Sequence, residues 1–334
     1  FTLNRLKGAV ALAANQLGVA RLALEAVVGD SRLKPSEQLA VLQSLVSIAQ
    51  RLNDPAAGAR FAREFLNAGG QSEGVRTALV RSLYQTQQWA AAAKEMSPLL
   101  QSLEAGKRTP SEDILKLWAG CYLKLQDDEG YYRALKVMVR HHPQPEYWGD
   151  LISRLQRRAG FADRLLLDSY RLMRYTESLE DAEDFVNMAQ LALVAAQPSE
   201  ALAVIEQGFK AGVLGKGPAA ASHRDLQSRI RKAAADDRAQ LDVAEQSARK
   251  AGDGQKLFSL GQAAFNEGHT DKGLGWMDQA IKLGIRRQAD DAQLQYAATL
   301  IRAGRRAQAE PLLSAVKGRD GLAELAELWL LAAR

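Results

Sequence analysis

The sequence predicts an all-α protein built from repeated antiparallel helix pairs, an α-solenoid, on three observations. Good helix formers such as Ala, Leu, Gln, Arg and Glu dominate the composition. Residues that favour strands never form an alternating run bounded by turn residues. The chain, at 334 residues, exceeds the size of most single globular cores, and small residues recur along it with a period of about 36 residues.

The clearest repeat lies near the C-terminal end of the chain. It has the spacing L-G-x2-A-x3-G-x4-G-x3-M-x2-A and covers residues 260–280. The same offsets return in the next repeat, where Ala309 follows Gly273 by 309 − 273 = 36 residues. The first repeat carries Leu260-Gly261, Ala264, Gly268, Gly273, Met277 and Ala280, and the second carries Tyr296-Ala297, Leu300, Gly304, Ala309 and Leu313.

One small residue near the start of each second helix traces the repeat through the chain. The intervals between the first four of these positions are 38, 34 and 39 residues, followed by intervals of 70 and 72 residues. Each longer interval equals about two periods, so we expect one further pair in each gap, at residues 147–180 and 218–252, and nine pairs in all. The positions are Ala20, Gly58, Ala92, Tyr131 in a divergent repeat, Ala201, Gly273 and Ala309.

This pattern resembles the tetratricopeptide repeat family, in which small residues lie where two helices cross and large ones fill the space around them. The resemblance implies a right-handed superhelical solenoid, which we expect to form a single domain over residues 1–334. Residues 321–334 have an apolar side and no second partner, as a capping helix would. The chain begins inside a predicted helix without a cap, so we expect preceding helices to be missing.

Residues typical of catalytic or metal sites do not form a recognisable motif. The four histidines belong to neither a G-x-S-x-G nor an H-E-x-x-H motif, and we interpret His141-His142 before Pro143 as part of a turn. Residues 212–217 are rich in glycine but lack the phosphate-loop spacing, so they predict a connector between helices. We expect Cys121 to be a buried, unreactive thiol. The sequence therefore predicts no catalytic residue, no cofactor and no metal.

Charge and aromatic residues bear on nucleic-acid binding. The net charge of +5 is a small excess spread along the chain, so nucleic acid is not the expected partner. The densest basic run, residues 154–164, is interpreted as a solvated helix face. We expect Trp89 and Trp118 to pack in the core. Pro311 predicts a late helix start or a slight kink.

In the tetratricopeptide family, first helices line a concave groove that holds an extended peptide or a partner helix. The equivalent groove here is polar and mildly basic, which suits backbone amides and acidic side chains. The lysines and asparagines with which some members clamp a terminal carboxylate are absent as a set. The resemblance implies partner-binding residues Arg5, Gln43, Ser47, Arg81, Tyr84, Lys116, Lys124, Gln190, Gln262, Phe265, Asn266 and Arg302.

The expected function is that of a non-catalytic scaffold that binds a protein or peptide. The chain resembles tetratricopeptide proteins of proteobacterial envelopes in runs such as residues 119–125, 146–148 and 160–165, which implies a periplasmic location, with the cytoplasm as the alternative. No apolar stretch is long enough to span a membrane. A nucleic-acid-binding or polysaccharide-binding repeat protein is the alternative function. An enzyme with a site between repeats finds no support in the residues.

Overall fold

The computed structural model describes residues 1–285 and 288–333, and within those ranges it holds α-helices, one short 3-10 helix and no strand. The helices follow one another as antiparallel pairs, so the predicted all-α solenoid is confirmed. The chain divides into two compact units, residues 1–142 (unit 1) and residues 143–334 (unit 2). The expectation of a single domain over residues 1–334 stays a prediction.

Unit 1 contains four helix pairs. Each first helix packs against the second helix of its pair, and the first helices α3, α5 and α7 also contact one another in sequence. The pairs are α1 (Thr2–Ala13) with α2 (Leu17–Val28), α3 (Pro35–Arg51) with α4 (Pro55–Asn67), α5 (Glu73–Gln85) with α6 (Trp89–Ala105), and α7 (Glu112–Leu125) with α8 (Asp128–His141).

The described residues of unit 2 form four further pairs and two single helices. A turn of 3-10 helix, Asp163–Leu165, joins the helices of its first pair. The pairs are α9 (Pro145–Gln156) with α10 (Leu166–Tyr175), α11 (Ala182–Val194) with α12 (Pro198–Lys210), α14 (Gly254–Asn266) with α15 (Thr270–Leu283), and α16 (Ala289–Arg302) with α17 (Arg306–Ala315); the single helices are α13 (Ala220–Ala251) and α18 (Leu322–Ala332).

The two pairs inferred from spacing have different outcomes. The pair expected at residues 147–180 is present as α9 and α10. The prediction of a helix pair at residues 218–252 is wrong, because α13 is one continuous helix of 32 residues. No Gly or Pro interrupts residues 219–251, so nothing stops the helix before Gly252, which ends it in a left-handed conformation. The described chain therefore has eight pairs rather than nine.

A single type of turn recurs inside seven of the described pairs. The residue before the N-cap of the second helix has a positive φ, and the N–H of that N-cap donates to the carbonyl five residues earlier, which is the Schellman arrangement. The small residue near the start of each second helix is then always the fourth residue of that helix. The positive-φ residues are Asn15 (58°), Asn53 (52°), Gln87 (60°), Gln126 (54°), Ala196 (53°), Gly268 (91°) and Gly304 (73°).

Helix crossings explain the small residues of the repeat. Ala20, Ala92 and Ala201 are fully buried. The crossing of α14 and α15 is closest, because a Cβ atom on Gly261 would lie 2.8 Å from the carbonyl oxygen of Gly273. Any larger residue at that position would push the two helices apart.

Three expectations about single residues have clear outcomes. Trp118 is buried as predicted, whereas Trp89 is half-buried. The late start expected at Pro311 is wrong, because α17 begins five residues earlier at Arg306. Pro311 is exposed, so the helix runs through it at the cost of one hydrogen bond on its solvent side. The C-terminal helix α18 packs against α16 and α17, as a capping helix would.

The turn at Ala196 generates a stability prediction. Left-handed backbone costs an L-residue about 1 kcal/mol or more, and glycine is free of that cost. We expect Ala196→Gly to raise the free energy of unfolding by about 0.5–1 kcal/mol in urea denaturation. The control is Ala195→Gly, whose backbone is right-handed with φ −77°, and which should be neutral or destabilising. Equal destabilisation by both changes would contradict the assigned turn.

Candidate functional site

The predicted groove residues of unit 1 lie on its four first helices. Arg5 and Lys116 already have partners, because Arg5 lies 2.8 Å from Glu37 and Lys116 lies 2.8 Å from Glu112. Gln43 and Ser47 are exposed on α3, one turn apart. These residues form part of a polar surface that follows α1, α3, α5 and α7.

Tyr84 bridges two neighbouring first helices on this surface. Its ring is half-buried and lies over Gly120 of α7, where an added Cβ atom would lie 3.1 Å from the Tyr84 hydroxyl oxygen. Gly120 therefore leaves the space that the ring occupies. The aromatic side chain predicted to contact a partner thus also fills the gap between α5 and α7.

Arg81 lies beside an open cavity of about 130 Å³ between the C-terminal ends of α3 and α5. No residue in the described part of the chain forms an ion pair or a hydrogen bond with its guanidinium, which is exposed. Lys124, on the next first helix, is likewise exposed and without a partner among described residues. Arg81 and Lys124 are therefore uncompensated cations that face solvent on the first helices of unit 1. The cavity is lined by Ala49, Gln50, Asn53, Asp54, Pro55, Arg81, Ser82 and Gln85.

A larger cavity of about 590 Å³ lies elsewhere in unit 1, between the start of α5 and the second half of α6. Its two arginines are already neutralised, because Arg76 pairs with Glu95 at 2.7 Å and Arg108 pairs with Glu73. The cavity is wide open and offers no uncompensated charge. It is therefore a weaker candidate site than the cavity at Arg81.

Four predicted groove residues of unit 2 are half-buried and meet one another or neighbouring side chains instead of lining an open groove. Gln262 donates to Gln295 at 3.1 Å, and Arg302 donates to Asn266 at 3.0 Å while its guanidinium lies 4.9 Å from the centre of the Phe265 ring. The cavity among them has a volume of about 10 Å³, which is room for one water molecule. Gln190 is exposed on α11.

A buried ionic cluster lies against these residues. Arg171 of α10 binds both oxygens of Glu200, with Nε–Oε1 at 2.9 Å and Nη2–Oε2 at 2.6 Å, and its third nitrogen donates to Asp168 at 2.7 Å. Gln295 of α16 donates to the other oxygen of Asp168 at 3.0 Å. Arg302 lies 3.9 Å from Glu200. Helices α10, α12 and α16 are thus joined through one set of charges.

The pKa values of the two carboxyl groups in this cluster are shifted in opposite directions. Burial raises the pKa of Asp168, which shares one nitrogen of Arg171. Burial also acts to raise the pKa of Glu200, but the charges of Arg171, Arg302 and Arg174 outweigh it and lower that pKa. Burial lowers the pKa of Arg302 to about 10. Glu200 is therefore the better stabilised anion.

Arg164 corrects the expectation of a solvated basic face at residues 154–164. It binds Asp291 through two nitrogens, at 2.7 and 3.1 Å, and Asp320 at 2.7 Å. The N–H of Ala162 donates to the carbonyl of Asp320 at 2.9 Å. Arg157, in contrast, is exposed as expected. The sequence could not show this role, because the two acidic partners lie more than a hundred residues away.

The contacts at Arg164 and in the buried cluster have one structural consequence. The 3-10 turn and α10, which belong to the first pair of unit 2, are bound to α16. The rings of Tyr175 and Trp329 meet there as well, 5.2 Å apart. Gln262, Asn266 and Arg302 thus bond to side chains of the same unit, whereas Gln190 is exposed. Sequence reasoning missed Asp168, Arg171 and Glu200, although the opposite charges of Asp168 and Arg171, three residues apart on one helix, were a usable signal.

The remaining sequence features have structural explanations. Cys121 is buried, and burial raises its pKa to about 11, so the thiol is unreactive at neutral pH. His142 follows the end of α8 and contacts the carbonyl of Pro110 at 2.9 Å. Residues 212–217 connect α12 with α13.

The described residues contain neither a metal cluster nor a membrane-spanning helix. No group of three or more His, Cys, Asp or Glu side chains among them could hold a metal ion. None of the described helices combines the length and the apolar character that crossing a bilayer requires.

Comparison with known proteins finds similarity among solved structures. No protein-family model and no curated protein matches the chain. The chain is similar to a structure described as the APC/C hetero-tetramer Cut9-Hcn1, with 12% identity, 94% of this chain and 65% of that chain covered, and a TM-score of 0.28. The chain thus spans less than two thirds of that protein.

Two further solved structures show comparable similarity. The complex of the TPR2AB domain of yeast Sti1 with pHSP90 has 10% identity, 90% of this chain and 100% of that chain covered, and a TM-score of 0.28. The structure of Naa15/Naa10 bound to HypK-THB has 14% identity, with 95% of this chain and 59% of that chain covered, and a TM-score of 0.23. At these scores, the description of the fold depends on the helix pairs themselves.

The buried cluster predicts a large effect of removing its cation. Arg171→Met should lower the free energy of unfolding by about 3–5 kcal/mol, because Asp168 and Glu200 would remain buried without a counter-charge. Arg229→Met is the control, since Arg229 pairs with Asp225 on the solvent side of α13, and it should change stability by less than about 0.5 kcal/mol. Urea denaturation of both variants measures the difference. Similar small effects would contradict the burial of the cluster.

Because the pKa values of the two carboxyl groups are shifted in opposite directions, the stability effects of replacing them should depend on pH in opposite ways. The pKa of Glu200 is lowered on folding, so its stabilising contribution is present above the unfolded pKa and is lost as the pH falls. The pKa of Asp168 is raised, so its favourable contribution is present at low pH and is lost as the pH rises. From about pH 4.5 to about pH 7, Glu200→Gln should become more destabilising and Asp168→Asn less so. Urea denaturation at both pH values tests this, and parallel trends would contradict the assignment.

Proposed function

We propose that this chain is a non-catalytic interaction scaffold that binds a peptide or protein segment on the first helices of unit 1. The observation that carries the proposal is the contrast between the two units. The first helices of unit 1 present Arg81, which lines an open cavity, and Lys124, and neither has a partner among the described residues. In unit 2, by contrast, Gln262 and Arg302 bind residues of the same unit.

A protein segment suits this surface better than a small molecule does. Exposed amides and hydroxyls on α3 and α5, among them Gln43 and Ser47, can hydrogen-bond to an extended backbone. Arg81 and Lys124 lie on successive first helices and favour acidic side chains at more than one point. The cavity at Arg81 is well below the size of a typical ligand pocket, about 300 Å³ or more.

The structure gives less support to binding of a nucleic acid or polysaccharide. A stacking platform needs exposed aromatic rings, but Trp118, Trp148, Trp276 and Trp329 are buried. The proposal includes an envelope location, periplasmic rather than cytoplasmic, which is supported by the resemblance to proteobacterial envelope proteins alone. Fractionation of the native cells with an antibody against this chain tests that part separately.

The binding face predicts loss of partner capture in one double variant. Arg81→Glu with Lys124→Glu should lose a specific protein captured from envelope or cytosolic extracts, because both cations would become repulsive to an acidic segment. The matched control is Arg140→Glu with Lys94→Glu, which reverses one arginine and one lysine, both exposed and on the second helices α8 and α6. Mass spectrometry identifies the captured proteins.

Two results would contradict the proposed face. Equal capture by wild type and the Arg81/Lys124 variant would place binding elsewhere on the chain. Capture of nucleic acid that falls steeply as salt is raised, and that both double variants reduce equally, would favour the polymer-binding alternative.

A further inference from the structure

The cavity beside Arg81 is lined by one cation and several amide side chains. Three amide side chains, Gln50, Asn53 and Gln85, surround it together with the guanidinium of Arg81. The side-chain amides of these three residues form no hydrogen bond with any described residue. The lining therefore offers a full positive charge and several N–H donors that no group of unit 1 uses.

One carboxylate also lines the cavity, and its charge is already compensated. Asp54 is the N-cap of α4 and accepts the N–H of Ala57 at 3.0 Å. It also accepts a hydrogen bond from Arg21 at 2.7 Å. These bonds, that of Ala57 first, lower the pKa of Asp54 and keep it ionised. Because Asp54 is neutralised by Arg21, Arg81 remains the uncompensated charge of the cavity.

The size of the cavity limits what it can hold. Its volume of about 130 Å³ exceeds the roughly 10–15 Å³ that a cavity needs to hold one water and stays well below a typical ligand pocket. One carboxyl group and the methylene groups that carry it are of the right scale. A guanidinium can bind such a carboxylate through two parallel hydrogen bonds, and a neighbouring amide can donate a third.

We propose that this cavity is a specificity pocket for one internal Asp or Glu side chain of the bound segment, held by Arg81 with Gln50 and Gln85. The inference rests on the proposed function, because it needs a protein segment on the first helices of unit 1. Beyond that function, it names the chemical group of the segment that is recognised, a carboxylate, and the cavity that binds it. Lys124 contributes a more distant attraction and does not line the pocket.

A library of random 12-residue peptides displayed on phage tests the pocket even though the natural partner is unidentified. Peptides are selected on wild-type chain after counter-selection on the Arg81→Glu, Lys124→Glu variant. The selected peptides are then synthesised with blocked ends, so that a terminal carboxylate cannot contribute. Binding is measured to wild type, to Arg81→Gln and to the control Arg140→Gln, which removes an exposed arginine from α8.

We expect the selected peptides to share one acidic position. Replacing that acid by its amide should weaken binding to wild type and to Arg140→Gln by about tenfold or more, and should leave binding to Arg81→Gln nearly unchanged. Peptides whose acidic position is equally important in Arg81→Gln, or which share no acid, would overturn the pocket but not the binding face. Failure of the wild type to select any peptide would overturn the proposed function, and the pocket with it.

Discussion

The guanidinium of Arg171, buried between Asp168 and Glu200, is the interaction on which unit 2 depends. It joins α10 to the start of α12, and through Asp168 and Gln295 it reaches α16. A charge set of this kind is stable only when all members are present, because each ion alone would be buried without compensation. The cluster therefore determines that the first and last pairs of unit 2 stay together, and Arg164 repeats the same connection nearer the surface.

The same helix-pair repeat presents its first helices differently in the two units. In unit 2 the side chains that would face a partner, such as Arg302 and Gln262, bind residues of the same unit. In unit 1 the same repeat leaves Arg81 exposed, while small residues and Schellman turns fix the helices that carry it. The local rules are shared, and the difference between an occupied and an open face comes from a few charged residues on α10 and α12.

Local features of the fold were predictable from the sequence because the repeat is local. The position that holds Ala20, Gly58 and Gly273 is the fourth residue of its helix throughout, so spacing alone gave the register. Spacing misled at residues 218–252, where the absence of any breaker allowed one long helix. The absence of Gly and Pro there was visible in the sequence and was the better signal.

The candidate site was less predictable, since it depends on contacts distant in sequence. The twelve residues predicted to bind a partner all lie on first helices. The sequence could not separate Arg81, which has no partner among the described residues, from Arg5, which pairs with Glu37 32 residues away. It could not show that Asp291 and Asp320 neutralise Arg164. Pairing of charges follows from tertiary structure, and a single sequence gives only the helix face on which each charge lies.

Arginine reactivity tests most directly the claim that Arg81 of unit 1 is exposed and the charge cluster of unit 2 is buried. The native chain is treated with an arginine-specific dicarbonyl reagent, and modification at each site is followed by mass spectrometry, with exposed Arg140 as the internal reference. We predict that Arg81 reacts at a rate comparable with Arg140, whereas Arg171, 7% exposed, stays unmodified until the chain is denatured. Reaction of Arg171 in the native chain as fast as that of Arg81 would contradict the claim.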